Sequence, residues 1–119
     1  MALTDTLRIE TVSADKRHVE ATMPIVPEVF QPHGYLHGGA TIALLETVAS
    51  IGTEQNTDFD KERPFGIDVQ VRHRKSGKEG TLRGVPTSTA RRCRSARGPS
   101  SSTGTWRRTT MRATWCRTA

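Results

Sequence analysis

The chain has 119 residues, with 18 Lys+Arg against 12 Asp+Glu, 34% hydrophobic residues and two cysteines. That length suits one domain, and no apolar run approaches the roughly 18 residues that a membrane-spanning helix requires. Cys93 and Cys116 make neither a disulfide framework nor a zinc set. The opening stretch, MALTDTLRIE, carries acids and no apolar run, so a secretory signal is not expected and a cytoplasmic domain is.

Residues 7–12 (LRIETV) and 18–25 (HVEATMPI) alternate in the manner of strands, and SADKR between them predicts a hairpin turn. Residues 26–37 hold two prolines, a glycine and two histidines, which predicts an irregular loop. From Gly38 the period changes. Ile42, Leu45 and Ala49 recur at helical spacing, with Leu44, Val48 and Ile51 filling the adjoining stripe. A helix apolar over most of its circumference has to be covered on several sides. Residues 55–64 form a polar connection, 66–73 (GIDVQVRH) alternate as a strand, and KSGKEG turns into the short run TLRGV. The expected class is α+β, an antiparallel sheet wrapped around one long helix. Three strands and the start of a fourth would only half-cover it.

Composition then changes abruptly. Residues 1–80 hold 9 Lys+Arg and all 12 acids; residues 81–119 hold 9 Arg and no Lys, Asp or Glu. The second part has Leu82 and Val85 as its only branched aliphatics, so it offers little apolar surface to offset the entropy of ordering it. The expected division is residues 1–85 as an incomplete domain and 86–119 as an Arg/Ser/Thr-rich tail.

Glu46 is the residue that points to chemistry. Its helical neighbours are Ile42, Ala43, Ala49 and Ser50, and no other charged residue lies between 38 and 53 to mark a solvated face. A buried or half-buried carboxylate is therefore expected, either neutralised or held by donors, and catalysis uses both conditions. The same helix starts at His37-Gly38-Gly39, where free backbone N–H groups and the helix dipole favour developing negative charge. The oxyanion of a thioester carbonyl would fit there.

With these residues in view, Gln31-Pro32-His33-Gly34-Tyr35-Leu36-His37-Gly38-Gly39, six residues and then Glu46 resembles the signature of hotdog-fold acyl-CoA thioesterases. The resemblance is to the phenylacetate-pathway, 4-hydroxybenzoyl-CoA and dihydroxynaphthoyl-CoA type. It covers roughly residues 6–85, and GIDVQVRHRKSGKEG continues it. It implies a hotdog fold and hydrolysis of an aromatic or small acyl-CoA to free acid and CoA. Glu46 would be nucleophile or general base, and Gly38 would hold the thioester oxygen through its N–H. Gln31 and His37 would orient and polarise the thioester, and Ser50 would position water or the thiol end. Gly66 and the segment His73, Arg74, Lys75 and Ser76 would contact substrate and CoA. No metal is implied, and no cofactor beyond the coenzyme A of the substrate. The resemblance further implies homodimers or homotetramers with sites at subunit interfaces, and no membrane partner. Two other readings use other features: an acyl-CoA-binding module without turnover, and a nucleic-acid-binding protein using the nine arginines, with Trp106 and Trp115 as stacking groups.

The tail also reads as an out-of-frame segment. One base out of frame, residues from Ser102 onward permit YWDVAAYDDEGDVVSHG, in which an alternating run, an acidic turn and a second run replace the arginines. Parts of this are forced by the genetic code: Trp115 followed by Cys116 yields valine. An out-of-frame tail predicts that the intact mass of the natural protein differs from the 13.1 kDa of the chain as written. A match to 13.1 kDa with protease-resistant residues 86–119 overturns it.

Overall fold

The computed structural model describes residues 1–61, 63–73, 75–87, 100–105 and 109–118. The expected hairpin is present as β1 (Glu10–Ala14) and β2 (Val19–Pro24), antiparallel from Glu10↔Thr22 to Ala14↔Val19. Asp15 makes its turn: the carboxylate accepts from the N–H groups of Arg17 at 2.7 Å and His18 at 2.8 Å. Those donors favour the ionised form and hold its pKa below the usual aspartate value. The strand expected from residue 7 starts three residues later. A short helix α1 (Leu3–Thr6) uses the preceding backbone, with Leu7 N–H on the Leu3 carbonyl at 2.9 Å and Ile9 N–H on that of Thr4 at 2.9 Å. Leu7 and Ile9 still pack against the core, so their apolar character serves burial rather than strand pairing.

The helix α2 (Gly38–Glu54) lies where the periodicity placed it. Ala40, Leu44 and Val48 form one stripe, packed in a core with Val19, Ala21 and Met23 of β2. Leu45 and Ala49 form a second stripe, against Val69 and Val71 of β3 (Arg63–His73). Leu44 and Met23 are fully buried, each worth about 1.5–3 kcal/mol of transfer free energy. The third side differs from the expectation. Gly39 and Glu46 are exposed, with Ile42, Ala43 and Ser50 half-buried beside them.

One sheet has the order β1-β2-β4, with β4 (Thr81–Gly84) in register with β2 from Ala21↔Gly84 to Pro24↔Thr81. The other has the order β3-β7-β6-β5, from β5 (Pro86–Thr87), β6 (Ser100–Thr105) and β7 (Thr109–Thr118). Val85 alone separates β4 from β5, so the chain passes directly from one sheet to the other around α2. Strands within 86–118 differ from the structureless tail that composition predicts. β3 supplies the reason: from Arg63↔Thr118 to His73↔Thr109 it offers a long ladder for β7. The arrangement is the α+β sheet-around-helix expected. No helix among the described residues is long and apolar enough to cross a membrane.

Glu20 and Arg83 tie β2 to β4. The guanidinium grips the carboxylate through two nitrogens, one of them at 2.7 Å, and Glu20's side chain is only 15% exposed. Arg83 holds the Glu20 carboxyl below its ordinary pKa of 4.5 and is itself held more firmly protonated. A carboxyl with a depressed folded-state pKa adds stability above its unfolded value and loses it as pH falls. Glu20→Gln should therefore lower the denaturation midpoint at pH 7, with the gap to wild type closing as pH drops below 4.5. A gap unchanged at pH 3 would remove this pair from the pH dependence.

Candidate active site

The loop before α2 is built to present its ends. Phe30 and Leu36 bridge in antiparallel fashion, Gln31 N–H donates to the Tyr35 carbonyl at 2.8 Å, and Gly34 N–H to that of Gln31 at 3.0 Å. Gly34 has φ of +82°, a conformation that side chains strain to adopt. The side-chain oxygen of Gln31 accepts from the His33 N–H. That assignment turns the amide NH₂ of Gln31 into its available end, a donor.

His37 caps the helix with its own ring. Its backbone is extended, and Nδ1 accepts from the Gly39 N–H at 2.8 Å. A neutral imidazole that accepts at Nδ1 carries its proton on Nε2, so the exposed edge of His37 is a donor. The His37 carbonyl takes the N–H groups of Ala40 at 3.0 Å and Thr41 at 3.3 Å. Gly38 is then the residue of the first turn whose N–H has no partner among the described residues, at the positive end of the dipole. His73, at the end of β3, lies over the same point: a Cβ built on Gly38 would sit 3.3 Å from its Nε2. Sequence reasoning assigned Gly38, His37 and His73 separately; the tertiary fold puts them together.

The remaining expected residues are distributed differently. Glu46 is exposed rather than buried or half-buried, because the two buried stripes of α2 point away from the side that carries Gly39 and Glu46. Ser50 follows one turn later, half-buried, with no side-chain partner among the described residues. Eight residues of helix separate Gly38 from Glu46, about 12 Å along the axis. Gly66 is exposed beside a register shift in β3, seven residues and about 23 Å of strand from His73. Lys75 is exposed in the turn after β3, and Arg74 lies outside the described residues. The Ser76 hydroxyl donates to the Leu36 carbonyl at 3.2 Å. Sequence reasoning missed Tyr35 and Lys78, whose ammonium stands 4.4 Å from the Tyr35 ring centroid; pairing across so long a separation has no local signal.

The His37 cap is open to a direct test. A Cβ on Gly39 would lie 3.0 Å from His37 Nδ1, so Gly39→Ala has to displace the ring. Loss of the cap costs about 1 kcal/mol and alanine returns up to about 1 kcal/mol of helix propensity. Stability should thus change little, while ring ¹⁵N shifts, read where His37 is neutral, lose the Nε2–H tautomer bias that wild type shows. An unbiased wild-type ring would contradict the cap.

Comparison with known proteins agrees with this geometry. Residues 33–94 match the family described as the thioesterase superfamily. A 1,4-dihydroxy-2-naphthoyl-CoA hydrolase of Listeria monocytogenes is 37% identical over 82 residues, covering 69% of this chain and 66% of its own length. The hydrolase of the same name from Escherichia coli is 35% identical over 79 residues, covering 66% and 56%. The matched part of this chain thus spans less than two thirds of those relatives. A thioesterase enzyme of Staphylococcus aureus, solved as a variant, superposes with a TM-score of 0.86 at 28% identity, with 98% of each chain covered. In sequence and in fold, the chain belongs to the thioesterase superfamily and has its hotdog architecture.

Proposed function

We propose that this protein hydrolyses an acyl-CoA thioester, with an aromatic or small acyl group, to the free acid and CoA. The observation that carries the proposal is the N–H of Gly38 at the start of α2, unpartnered among the described residues and flanked by the rings of His37 and His73. The thioester oxygen accepts from Gly38 N–H, and the donor ends of Gln31 and His37 polarise the carbonyl. Glu46 supplies the nucleophile, directly or by taking a proton from water. In the water route, hydroxide adds to the carbonyl carbon and the C=O electron pair moves onto the oxygen held by Gly38. Collapse expels the CoA thiolate, which recovers the proton from Glu46. Ser50 positions the water or the thiol end, and Gly66, His73 and Lys75 line the path of substrate and CoA. Support for the acyl class comes from the relatives' name, 1,4-dihydroxy-2-naphthoyl-CoA hydrolase. The S. aureus structures are of variants that replace a glutamine and a glutamate by alanine, the residue types of Gln31 and Glu46. We place the activity in the cytoplasm.

Distance favours a second copy. A group attacking a carbonyl bound to the Gly38 N–H must come within roughly 6 Å of that nitrogen. Within one chain Glu46 starts about 12 Å away along the axis, on a different side of the helix. Two α2 helices packed antiparallel along the uncovered strip, crossing near Ile42, bring Gly38 of one copy level with Glu46 of the other. β3 ends the four-stranded sheet, so its free edge can pair with the same partner. The functional unit is a homodimer, or a homotetramer built from such dimers.

Glu46→Ala should lower kcat on aromatic and short acyl-CoA substrates by about a hundredfold or more; unchanged turnover removes Glu46 from the mechanism. Mixing denatured Glu46→Ala and Gln31→Ala chains and refolding them should restore about one quarter of wild-type activity, because half of the dimers are mixed and each has one intact site. No recovery in mixtures shown to contain mixed dimers would return Glu46 and Gln31 to the same chain.

A further inference from the structure

We infer that Ser76 is a positioning residue of this site, which holds the active-site loop in place instead of touching coenzyme A. The inference deepens the proposed thioesterase reading and rests on it for its kinetic consequence. Residues 30–37 carry Gln31 and His37, yet their short-range backbone bonds are internal to the loop or run to its immediate neighbours, Pro27 and Val29 before it and the first turn of α2 after it. Their ties to a distant part of the chain converge on the turn between β3 and β4. Leu36 N–H donates to the Gly77 carbonyl at 2.9 Å, and the Leu36 carbonyl accepts from the Ser76 hydroxyl at 3.2 Å. Both backbone polar groups of the residue before the helix cap are therefore satisfied by two consecutive residues forty positions away. Lys78 over the Tyr35 ring adds a third, more exposed tie.

The turn is itself anchored. Ile25 N–H, at the end of β2, donates to the Gly80 carbonyl at 2.9 Å, and a Cβ on Gly77 would sit 3.3 Å from the Ile25 side chain. The Leu36 side chain is buried in the main core. With side chain, N–H and carbonyl all held, the peptide plane between Leu36 and His37 has one orientation. That plane sets where the His37 ring meets Gly39 and where the Gly38 N–H points. A hydroxyl engaged in this way is poorly placed to serve CoA as well, since its one proton is already donated.

The test is Ser76→Ala in the full chain, with Ser76→Thr as the variant that keeps a hydroxyl. Expected in Ser76→Ala are a kcat lower by roughly tenfold, KM for acyl-CoA and inhibition by free CoA within about twofold of wild type, and exchange of the Leu36 amide faster by about tenfold or more. Ser76→Thr should restore most of kcat and of the amide protection. A raised KM with weaker CoA inhibition at unchanged kcat would overturn the proposal and return Ser76 to CoA binding. Unchanged kcat and unchanged Leu36 exchange would overturn it too. If wild type hydrolyses no acyl-CoA, the thioesterase reading fails, while Leu36 exchange in the two variants still decides whether Ser76 holds the loop.

Discussion

The start of α2 constrains everything around it, because a helix leaves its first amides without internal partners and each has to be answered. Here the His37 ring takes the Gly39 N–H and the His37 carbonyl takes those of Ala40 and Thr41. Among the described residues, Gly38 is left with an unpartnered donor at the helix end. A side chain at that position would press on His73, so the absence of a Cβ, the closeness of the strand end and the open N–H are one arrangement. The ring that caps the helix is held in the tautomer that makes its outer edge a second donor.

Such an arrangement is only as accurate as the loop leading into it. Loops are ordinarily the least constrained part of a fold, and this one carries two of the polar groups of the site. Its fixation comes from a turn remote in sequence and from the burial of Leu36, which join loop precision to the core formed by β2 and α2. The Glu20–Arg83 pair strengthens the same frame from the far side, since it fastens β4, the strand into which that turn runs, onto β2.

Coverage of α2 bears on the dimer we propose. Ala40, Leu44 and Val48 are satisfied by one sheet and Leu45 and Ala49 by the other. The strip of Gly39, Ala43, Glu46 and Ser50 is exposed at Gly39 and Glu46 and half-buried at Ala43 and Ser50, and it is made of small residues around one carboxylate. A second helix can approach such a strip closely, and the spacing of Gly38 and Glu46 asks for one. In the proposed dimer, catalytic geometry and helix coverage are met by the same contact.

The sequence by itself determined the central helix, its starting motif and its carboxylate, because these are written in local spacing: apolar positions at helical period, His37-Gly38-Gly39, and Glu46 alone among uncharged neighbours. It also determined the hairpin, whose alternation and Asp15 turn are local, though Leu7 and Ile9 alternate for packing and not for pairing. Composition argued against order after Val85, whereas the described residues there form β5, β6 and β7, and β3 offers β7 a ladder that no local pattern in residues 109–118 reveals. Only the tertiary structure decided that Glu46 is exposed, because burial depends on which sides of a helix the sheet reaches. Only it placed His73 over Gly38 and turned Ser76 toward Leu36. Those contacts join residues about forty positions apart, and the hydrogen-bonding capacity of a serine or a histidine carries no mark of the partner that folding will bring to it.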